Sequence, residues 1–117
     1  MNEADFQRQV LDLARLGGWR VAHFRPAQTA KGWRTPVGAD GAGFPDLVLT
    51  RPPELIFAEL KAEKGRTTPE QEAWLGDLRV VAQCIMLNDE DEIPVQVYVW
   101  RPSDFDEVRR VLLERVS

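Results

Sequence analysis

The chain has 117 residues, 44% of them hydrophobic, and a formal net charge of −4, so it suits one domain with a single core and makes a second domain improbable. One cysteine excludes an intramolecular disulfide, and a single histidine leaves almost nothing to build a zinc cluster. The N-terminus lacks a signal-peptide pattern and no apolar stretch is long enough to span a membrane, so we expect a soluble, cytoplasmic protein.

The basic residues are unevenly distributed along this acidic chain. Between Arg15 and Arg66 there are nine basic and five acidic residues, so this segment has a positive surplus that the rest of the chain outweighs. Net acidity argues against a general nucleic-acid coat protein, because such proteins neutralise phosphates with clustered Lys and Arg. The basic segment is compatible with a site that binds an anion, and equally with a solvated surface loop.

The first half of the chain predicts a helix followed by strands. Residues 3–16 place apolar residues at helical spacing and end at two glycines. Residues 19–24 predict a strand. The long segment 25–43, rich in Gly, Pro and Thr, has the length and composition of a functional or disordered loop. Residues 45–50 and 55–63 predict two strands joined by a turn that contains two prolines, and together they form a hairpin.

The next segment has the pattern of a helix N-terminus. In the stretch 67–80, Thr68 is placed as the N-cap, Pro69 occupies the first helical position, and Gln71 stands where the partner in a capping box belongs. We therefore expect a helix that begins at Pro69.

The last part of the chain predicts two strands and a closing helix. The apolar runs 81–88 and 95–100 predict strands on either side of an acidic turn, which places Cys84 in the core. Residues 103–116 predict a helix with Ser103 as its N-cap. The order of the elements predicts an α/β fold, a mixed β-sheet flanked by α-helices.

The strand predicted over residues 55–63 contains charged residues where a buried strand should be apolar. Side chains alternate between the two faces of a strand. One face is apolar throughout, with Ile56, Ala58, Leu60 and Ala62. The other face has Glu59 and Lys61 as neighbours, and Asp46, at the start of the preceding strand, can face the same position. The sequence therefore predicts two carboxylates and a lysine together on one face of a hairpin.

These side chains are the ones that a metal-dependent phosphodiesterase needs. Mg²⁺ is a hard cation held by one or two carboxylates, and Asp46, Glu59 and the backbone carbonyl of Leu60 could bind it. The metal makes bound water a better nucleophile and stabilises charge that develops on phosphorus. Lys61 would add a positive charge near the water or the phosphate oxygens. A Pro-Asp or a Glu-x-Lys pair alone is weak evidence, because both occur in turns and surface ion pairs.

Several motifs together resemble a known nuclease family. The stretches "GFPDLVL" and "FAELKAEKGRTTPEQEAWL" resemble the PD-(D/E)xK superfamily, with Asp46 as the aspartate after proline and residues 59–61 as the ExK element. The N-terminal pattern E-x-x-F-Q-x-x-V, "TPEQ" and the closing "VYVWRPSD" resemble one of its branches, the virus-type replication-repair nuclease family, VRR-NUC. The resemblance covers nearly the whole chain and implies one domain over residues 1–117.

The resemblance implies a restriction-endonuclease-like core, a Mg²⁺ or Mn²⁺ cofactor and DNA as the substrate. Small members of this family are similar to Holliday-junction resolvases and dimerise. It thus implies a homodimer acting on duplex or branched DNA in phage or bacterial replication and repair, where a further protein partner is compatible. It also implies that Glu3 is an additional metal-associated acid, with Asp5 as the alternative, and that Gln71 lies at the edge of the site.

We therefore interpret the sequence as a metal-dependent deoxyribonuclease that hydrolyses phosphodiester bonds. The predicted catalytic residues are Glu3, Asp46, Glu59, Lys61 and Gln71, and the predicted metal ligands are Glu3, Asp46, Glu59 and Leu60. The predicted DNA contacts are Arg25, Lys31, Arg34, Lys64 and Arg66.

Other interpretations fit parts of the same sequence. A DNA-binding module that has lost catalysis would keep the fold, and the net acidity favours a protein-interaction domain. The capping box alone explains Gln71, and the helix macrodipole explains Glu3. A solvated loop explains Lys64 and Arg66.

Overall fold

The computed structural model describes residues 1–24, 27–29, 32–34, 38–88 and 95–114, and within these it describes the backbone alone for 27–29, 32–34 and 86–88. The elements are α1 (Glu3–Leu16), β1 (Arg20–His23), β2 (Ala27–Thr29), β3 (Gly32–Arg34), β4 (Leu47–Arg51), β5 (Glu54–Leu60), α2 (Pro69–Asn88), β6 (Val95–Trp100), a 3-10 turn (Pro102–Asp104) and α3 (Phe105–Leu113).

Four strands form the main sheet in the order β1-β4-β5-β6. β4 pairs antiparallel with both β1 and β5, whereas β6 pairs parallel with β5 because the chain crosses back through α2. The sheet is therefore mixed, and helices lie against it. The predicted α/β fold, a mixed sheet flanked by helices, is confirmed. None of the helices that the structure describes is long and apolar enough to cross a membrane.

The main core lies between one face of the sheet and the helices α1 and α3. Phe6, Val10 and Ala14 are fully buried because their spacing of four residues puts them on one side of α1. They pack with the following residues of β4, β5 and α3: Leu47, Leu49, Ile56, Ala58, Leu60, Val108 and Leu112. Burial of each large apolar side chain contributes about 1.5–3 kcal/mol, so this layer supplies most of the stability.

A buried arginine fastens α1 and α3 to the β4–β5 turn. Arg51 is 5% exposed, and its guanidinium donates to Glu54 at 2.9 Å and to the backbone carbonyl oxygens of Gly17, Leu112 and Glu114 at 2.9, 3.1 and 2.6 Å. Every one of these partners is an acceptor, which offsets much of the cost of burying the charge. These hydrogen bonds of Arg51 lie at the turn of the hairpin, at the opposite end from Glu59.

The strand predicted over residues 81–88 is wrong, because α2 continues without a break to Asn88. Leu75 and Ala82 are buried, and Leu78 and Ile85 are half-buried. These four residues have the spacing of one face of a helix. No Gly, Pro, Asn or Asp separates the run from the helix before it, so nothing ends the helix. The prediction that Cys84 is a core residue is wrong for the same reason, since it lies on the exposed side of α2.

The segment 25–43 contains an element that the sequence did not predict. β2 and β3 pair antiparallel, with Ala27 opposite Arg34, as a separate two-stranded sheet. Two of the predicted DNA contacts, Arg25 and Lys31, lie outside the described residues, and the side chain of Arg34 does so too. Ser103 is not the N-cap of α3, because a 3-10 turn precedes the helix and Asp104 stands at its start.

Candidate active site

The β4–β5 hairpin brings Asp46 and Glu59 together. Its register pairs Leu47 with Ala58, so the next positions outward, Asp46 and Glu59, lie side by side on neighbouring strands and on the same face. Asp46 is held in place because its Oδ2 accepts a hydrogen bond of 3.0 Å from the backbone N–H of Leu60. Two carboxylates from successive strands thus share one small volume.

Glu59 is buried, although the sequence placed it on a polar face. Its side chain is 2% exposed, and its Oε2 has no hydrogen-bond donor among the described residues. Burial, together with the neighbouring Asp46 acting both as a hydrogen-bond acceptor and by its charge, raises the pKa of Glu59 to about 9. The positive charge of Lys61 acts against this shift, whereas the negative charge of Glu3 adds to it. At neutral pH this carboxyl therefore holds a proton unless a cation replaces it.

Gln71 connects the carboxylate pair to the start of α2. Its Oε1 accepts from the backbone N–H of Thr68 at 2.8 Å, and its own backbone N–H donates to Thr68 Oγ1 at 3.2 Å, which is a capping box. At the same time its Nε2 donates to Glu59 Oε1 at 3.2 Å. The capping role and the site role of Gln71 are thus compatible, because they use opposite ends of one amide.

A glycine that the sequence analysis passed over sets the distance between the hairpin and α2. Gly43 has φ of 85°, and a Cβ on it would lie 2.5 Å from the carbonyl carbon of Glu70 and 2.7 Å from the backbone nitrogen of Gln71. Only a residue without a side chain allows this approach. The glycine two residues before Pro-Asp was the available signal, because it brings the Asp46 loop onto the first turn of α2.

Aromatic side chains cover the sheet beside the carboxylates, and these too were missed from sequence. The ring of Phe44 makes edge-to-face contacts with Phe24, Phe57 and Trp74, at centroid distances of 5.4, 6.2 and 5.0 Å. The Trp74 indole N–H donates to the backbone carbonyl of Asp40 at 2.9 Å. This cluster lies on the same sheet face as Glu59 and helps to keep water away from it.

Lys61 and the loop after it are hydrogen-bonded to the end of β6 and to the 3-10 turn that follows it. The backbone N–H of Lys61 donates to Trp100 O at 3.0 Å, and the Arg101 guanidinium donates to Gly65 O at 2.9 Å. Glu63 accepts from the backbone N–H of Ser103 at 3.0 Å, and hydrogen bonding to the Ser103 side chain and then to this N–H holds the pKa of Glu63 below its ordinary value. Lys61 is half-buried next to Glu59. Two other predicted site residues, Lys64 and Arg66, are exposed on the same loop.

The N-terminus of α1 brings a third carboxylate to this end of the molecule. Glu3 is the first residue of α1, and its charge is among those that raise the pKa of Glu59. Asp5, the alternative, instead accepts a hydrogen bond of 3.1 Å from the Arg8 guanidinium. The structure therefore places Glu3 within electrostatic reach of the pair, exposed to solvent.

The described residues contain no group of three or more His, Cys, Asp or Glu side chains arranged to hold a metal ion. What they do contain is a pair of adjacent carboxylates, one of which has a buried oxygen without a donor. Two acceptors facing each other need a proton or a cation between them, because neither can satisfy the other. Hard oxygen donors of this kind suit a divalent cation completed by water and substrate oxygens.

Comparison with known proteins relates the chain to a family. The model of a family described as the VRR-NUC domain matches residues 7–97, which is more than half of the chain. The matched range includes Asp46, Glu59, Lys61 and Gln71 and leaves Glu3 outside it. A search among curated proteins finds no match.

Proposed function

The chain belongs to the VRR-NUC family, a nuclease family, and we propose from this premise that it is a metal-dependent deoxyribonuclease that hydrolyses phosphodiester bonds. One observation supports this best. Glu59 is 2% exposed, has an oxygen without a donor, and lies beside Asp46 and Lys61. A merely structural site would have little reason to bury a carboxylate beside a second carboxylate, since this costs stability in the protein alone.

In the proposed site Asp46, Glu59 and the backbone carbonyl of Leu60 hold the cation, with Glu3 in support from α1. Mg²⁺ or Mn²⁺ at this position would lower the pKa of bound water and neutralise charge on the scissile phosphate. Glu59 must give up its proton to become a ligand. The proton and the cation therefore compete for the same carboxylate. Asp46 is already oriented for this role by the Leu60 N–H, which holds one of its oxygens at 3.0 Å.

The other side chains of the site would orient the reacting groups and stabilise the charge that develops on the phosphate. The ammonium group of Lys61, half-buried at the end of β5, would orient the attacking water or stabilise the phosphate oxygens as negative charge develops. Gln71 keeps Glu59 in one conformation through its hydrogen bond of 3.2 Å. The aromatic cluster around Phe44 excludes competing water, which strengthens these electrostatic interactions.

DNA would reach the carboxylates across the basic loop that follows β5. Lys64 and Arg66 are exposed there and can neutralise phosphates, and Arg25, Lys31 and Arg34 stay proposed contacts from the neighbouring segment. We further propose a homodimer, because one small domain can hardly embrace a branched duplex or cut both strands. Duplex and four-way-junction DNA are the substrates to test, and a replication or repair setting follows from the family alone.

Cleavage of labelled linear, flapped, single-stranded and four-way-junction DNA, with Mg²⁺, Mn²⁺ or EDTA, tests the proposal. We expect metal-dependent cutting that Asp46→Ala and Lys61→Ala reduce by about 100-fold or more, since each removes a group that acts on the reacting phosphate. Asp12→Asn, which alters an exposed carboxylate on α1, is the matched control. Full cutting by Asp46→Ala would contradict the proposal. Absence of cutting by a folded wild-type protein that binds DNA would favour a silent binding module.

A further inference from the structure

The hydrogen bonds that other groups donate to the carboxylate pair engage one oxygen of each residue. Oε1 of Glu59 accepts from Gln71 Nε2 at 3.2 Å, and Oδ2 of Asp46 accepts from the Leu60 N–H at 3.0 Å. Oε2 of Glu59 has no donor among the residues described. Glu59 thus presents its two oxygens in different states, one already held and one available to a cation.

The capping box determines which end of the Gln71 amide meets Glu59. The Thr68 backbone N–H can donate only to an oxygen, and it donates to Gln71 Oε1 at 2.8 Å. A rotated amide would place Oε1 against Glu59 and leave the Thr68 N–H facing an NH₂ group. The main chain at the start of α2 therefore forces Nε2 to point at Glu59.

We propose that Gln71 is a positioning residue that makes Glu59 a one-oxygen ligand and so selects Mg²⁺ and Mn²⁺ over Ca²⁺. This inference rests on the proposed metal-dependent function. Ca²⁺ takes about six to eight oxygens and often binds both oxygens of a carboxylate, whereas Mg²⁺ requires near-octahedral geometry and keeps several waters. Binding through both oxygens of Glu59 would first have to break the bond from Gln71. The small octahedral cations do not need that second oxygen.

Two substitutions separate this role from helix capping. Gln71→Met is similar in size but removes both the acceptor for the Thr68 N–H and the donor to Glu59. Thr68→Ala removes the Oγ1 that accepts from the Gln71 N–H at 3.2 Å, but it keeps the backbone N–H of residue 68 and the whole amide. Both changes weaken the same cap, and only the first one releases Oε1 of Glu59.

The experiment is a calorimetric titration of the intact protein with Mg²⁺, Mn²⁺ and Ca²⁺, for the wild type and both variants, with circular dichroism to verify folding. We expect Gln71→Met to raise the affinity for Ca²⁺ relative to Mn²⁺ by about tenfold or more, the usual size of an effect on a residue that orients a metal ligand. We expect Thr68→Ala to leave this ratio as it is in the wild type.

The outcomes distinguish failure of the role of Gln71 from failure of the proposed metal dependence. An unchanged ratio in Gln71→Met, or an equal rise in Thr68→Ala, overturns the role of Gln71. If Gln71→Met does not fold, Gln71→Ala replaces it, because this variant also loses the donor to Glu59 and adds no new oxygen ligand, so the same rise is expected. A wild-type protein that binds none of the three cations overturns the proposed metal dependence as well. Wild-type binding and cleavage with an unchanged ratio overturn the inference about Gln71 alone.

Discussion

At the scale of single residues, Glu59 shows what the sequence could and could not predict. The alternation of β5 placed Glu59, Lys61 and Asp46 on one face, and the register of the hairpin brings the two carboxylates side by side. The burial of Glu59 could not be predicted, because it depends on α2 and on Phe44 covering that face. A period-two pattern predicts the face of the sheet toward which a side chain points, but it does not predict which elements pack on that face.

The raised pKa of Glu59 predicts how stability depends on pH. The pKa is about 9 in the folded protein and near 4.5 when the residue is unperturbed, so between these values the folded state holds a proton that the unfolded chain has lost. This contribution is fully present below about pH 4.5 and is lost as the pH rises toward about 9. In EDTA we expect the free energy of unfolding to fall by at most about 1.4 kcal/mol per pH unit in this window.

Urea unfolding at several pH values, on the wild type and on Glu59→Gln, measures this effect. The variant cannot titrate at residue 59, so its pH slope should be smaller, whereas Asp12→Asn should keep the wild-type slope. Mg²⁺ should stabilise the wild type more at high pH than at low pH, because it competes with the proton. Equal slopes in the wild type and Glu59→Gln would contradict the raised pKa.

We expect replacement by alanine to have opposite effects on stability at two glycines, Gly43 and Gly76. Gly43→Ala would force a side chain into the backbone of Glu70 and strain a φ of 85°, so we expect a loss of about 1–3 kcal/mol and slower cleavage. Gly76 lies within α2, and a Cβ there would meet nothing within 4 Å. Gly76→Ala should therefore stabilise by up to about 1 kcal/mol, as measured by thermal unfolding. Destabilisation of similar size in both variants would show that the close approach at Gly43 has no special role.

At the scale of elements, predictions were right where a signal was local and wrong where a partner decided the outcome. The cap at Thr68 and the face of α1 follow from short patterns in the sequence. The run 81–88 is mostly apolar, so its pattern did not distinguish a strand from a helix covered on one side by the sheet. The pairing of β2 with β3 also lay inside a segment whose composition indicated a loop.

The basic loop after β5 predicts a measurable electrostatic effect on DNA binding. Lys64 and Arg66 are exposed, so removal of either charge should weaken binding to all DNA sequences about equally and lower the slope of log K against log salt by about one. Fluorescence anisotropy measures this slope, with Lys61→Ala, which we expect to be catalytically inactive, as the background. The control is Arg109→Ala, which changes an exposed arginine on α3. An equally large change of slope in this variant would show that the loop after β5 is not a specific part of the DNA interface.

At the scale of the whole molecule, α2 leaves apolar surface uncovered. Val80 and Val81 are 60% and 54% exposed, and Cys84 lies on the same side of the helix. A second copy of the chain is the partner that the proposed homodimer supplies, and α2 is the element through which we expect the copies to meet.

A single charge on α2 tests this dimer. Val81→Glu should shift the protein toward a monomer in size-exclusion chromatography with light scattering, because a buried unpaired carboxylate at an interface is costly. Leu16→Glu changes an apolar residue that is 76% exposed on α1 and should leave the dimer intact. A wild-type monomer at all concentrations, or a dimer that tolerates Val81→Glu, would rule out α2 as the contact.

The β4–β5 hairpin also bears on the order in which the chain folds. Leu60 and Asp46 are only 14 positions apart, whereas β6 can join β5 only after the chain has passed through α2. Local pairings form faster than distant ones, so we expect the two carboxylates to meet before α2 and Phe44 cover them. During that interval Glu59 would still be hydrated and ionised, and a divalent cation could bridge the pair. Cations should therefore accelerate refolding itself, by holding together the hairpin on which the rest of the sheet assembles.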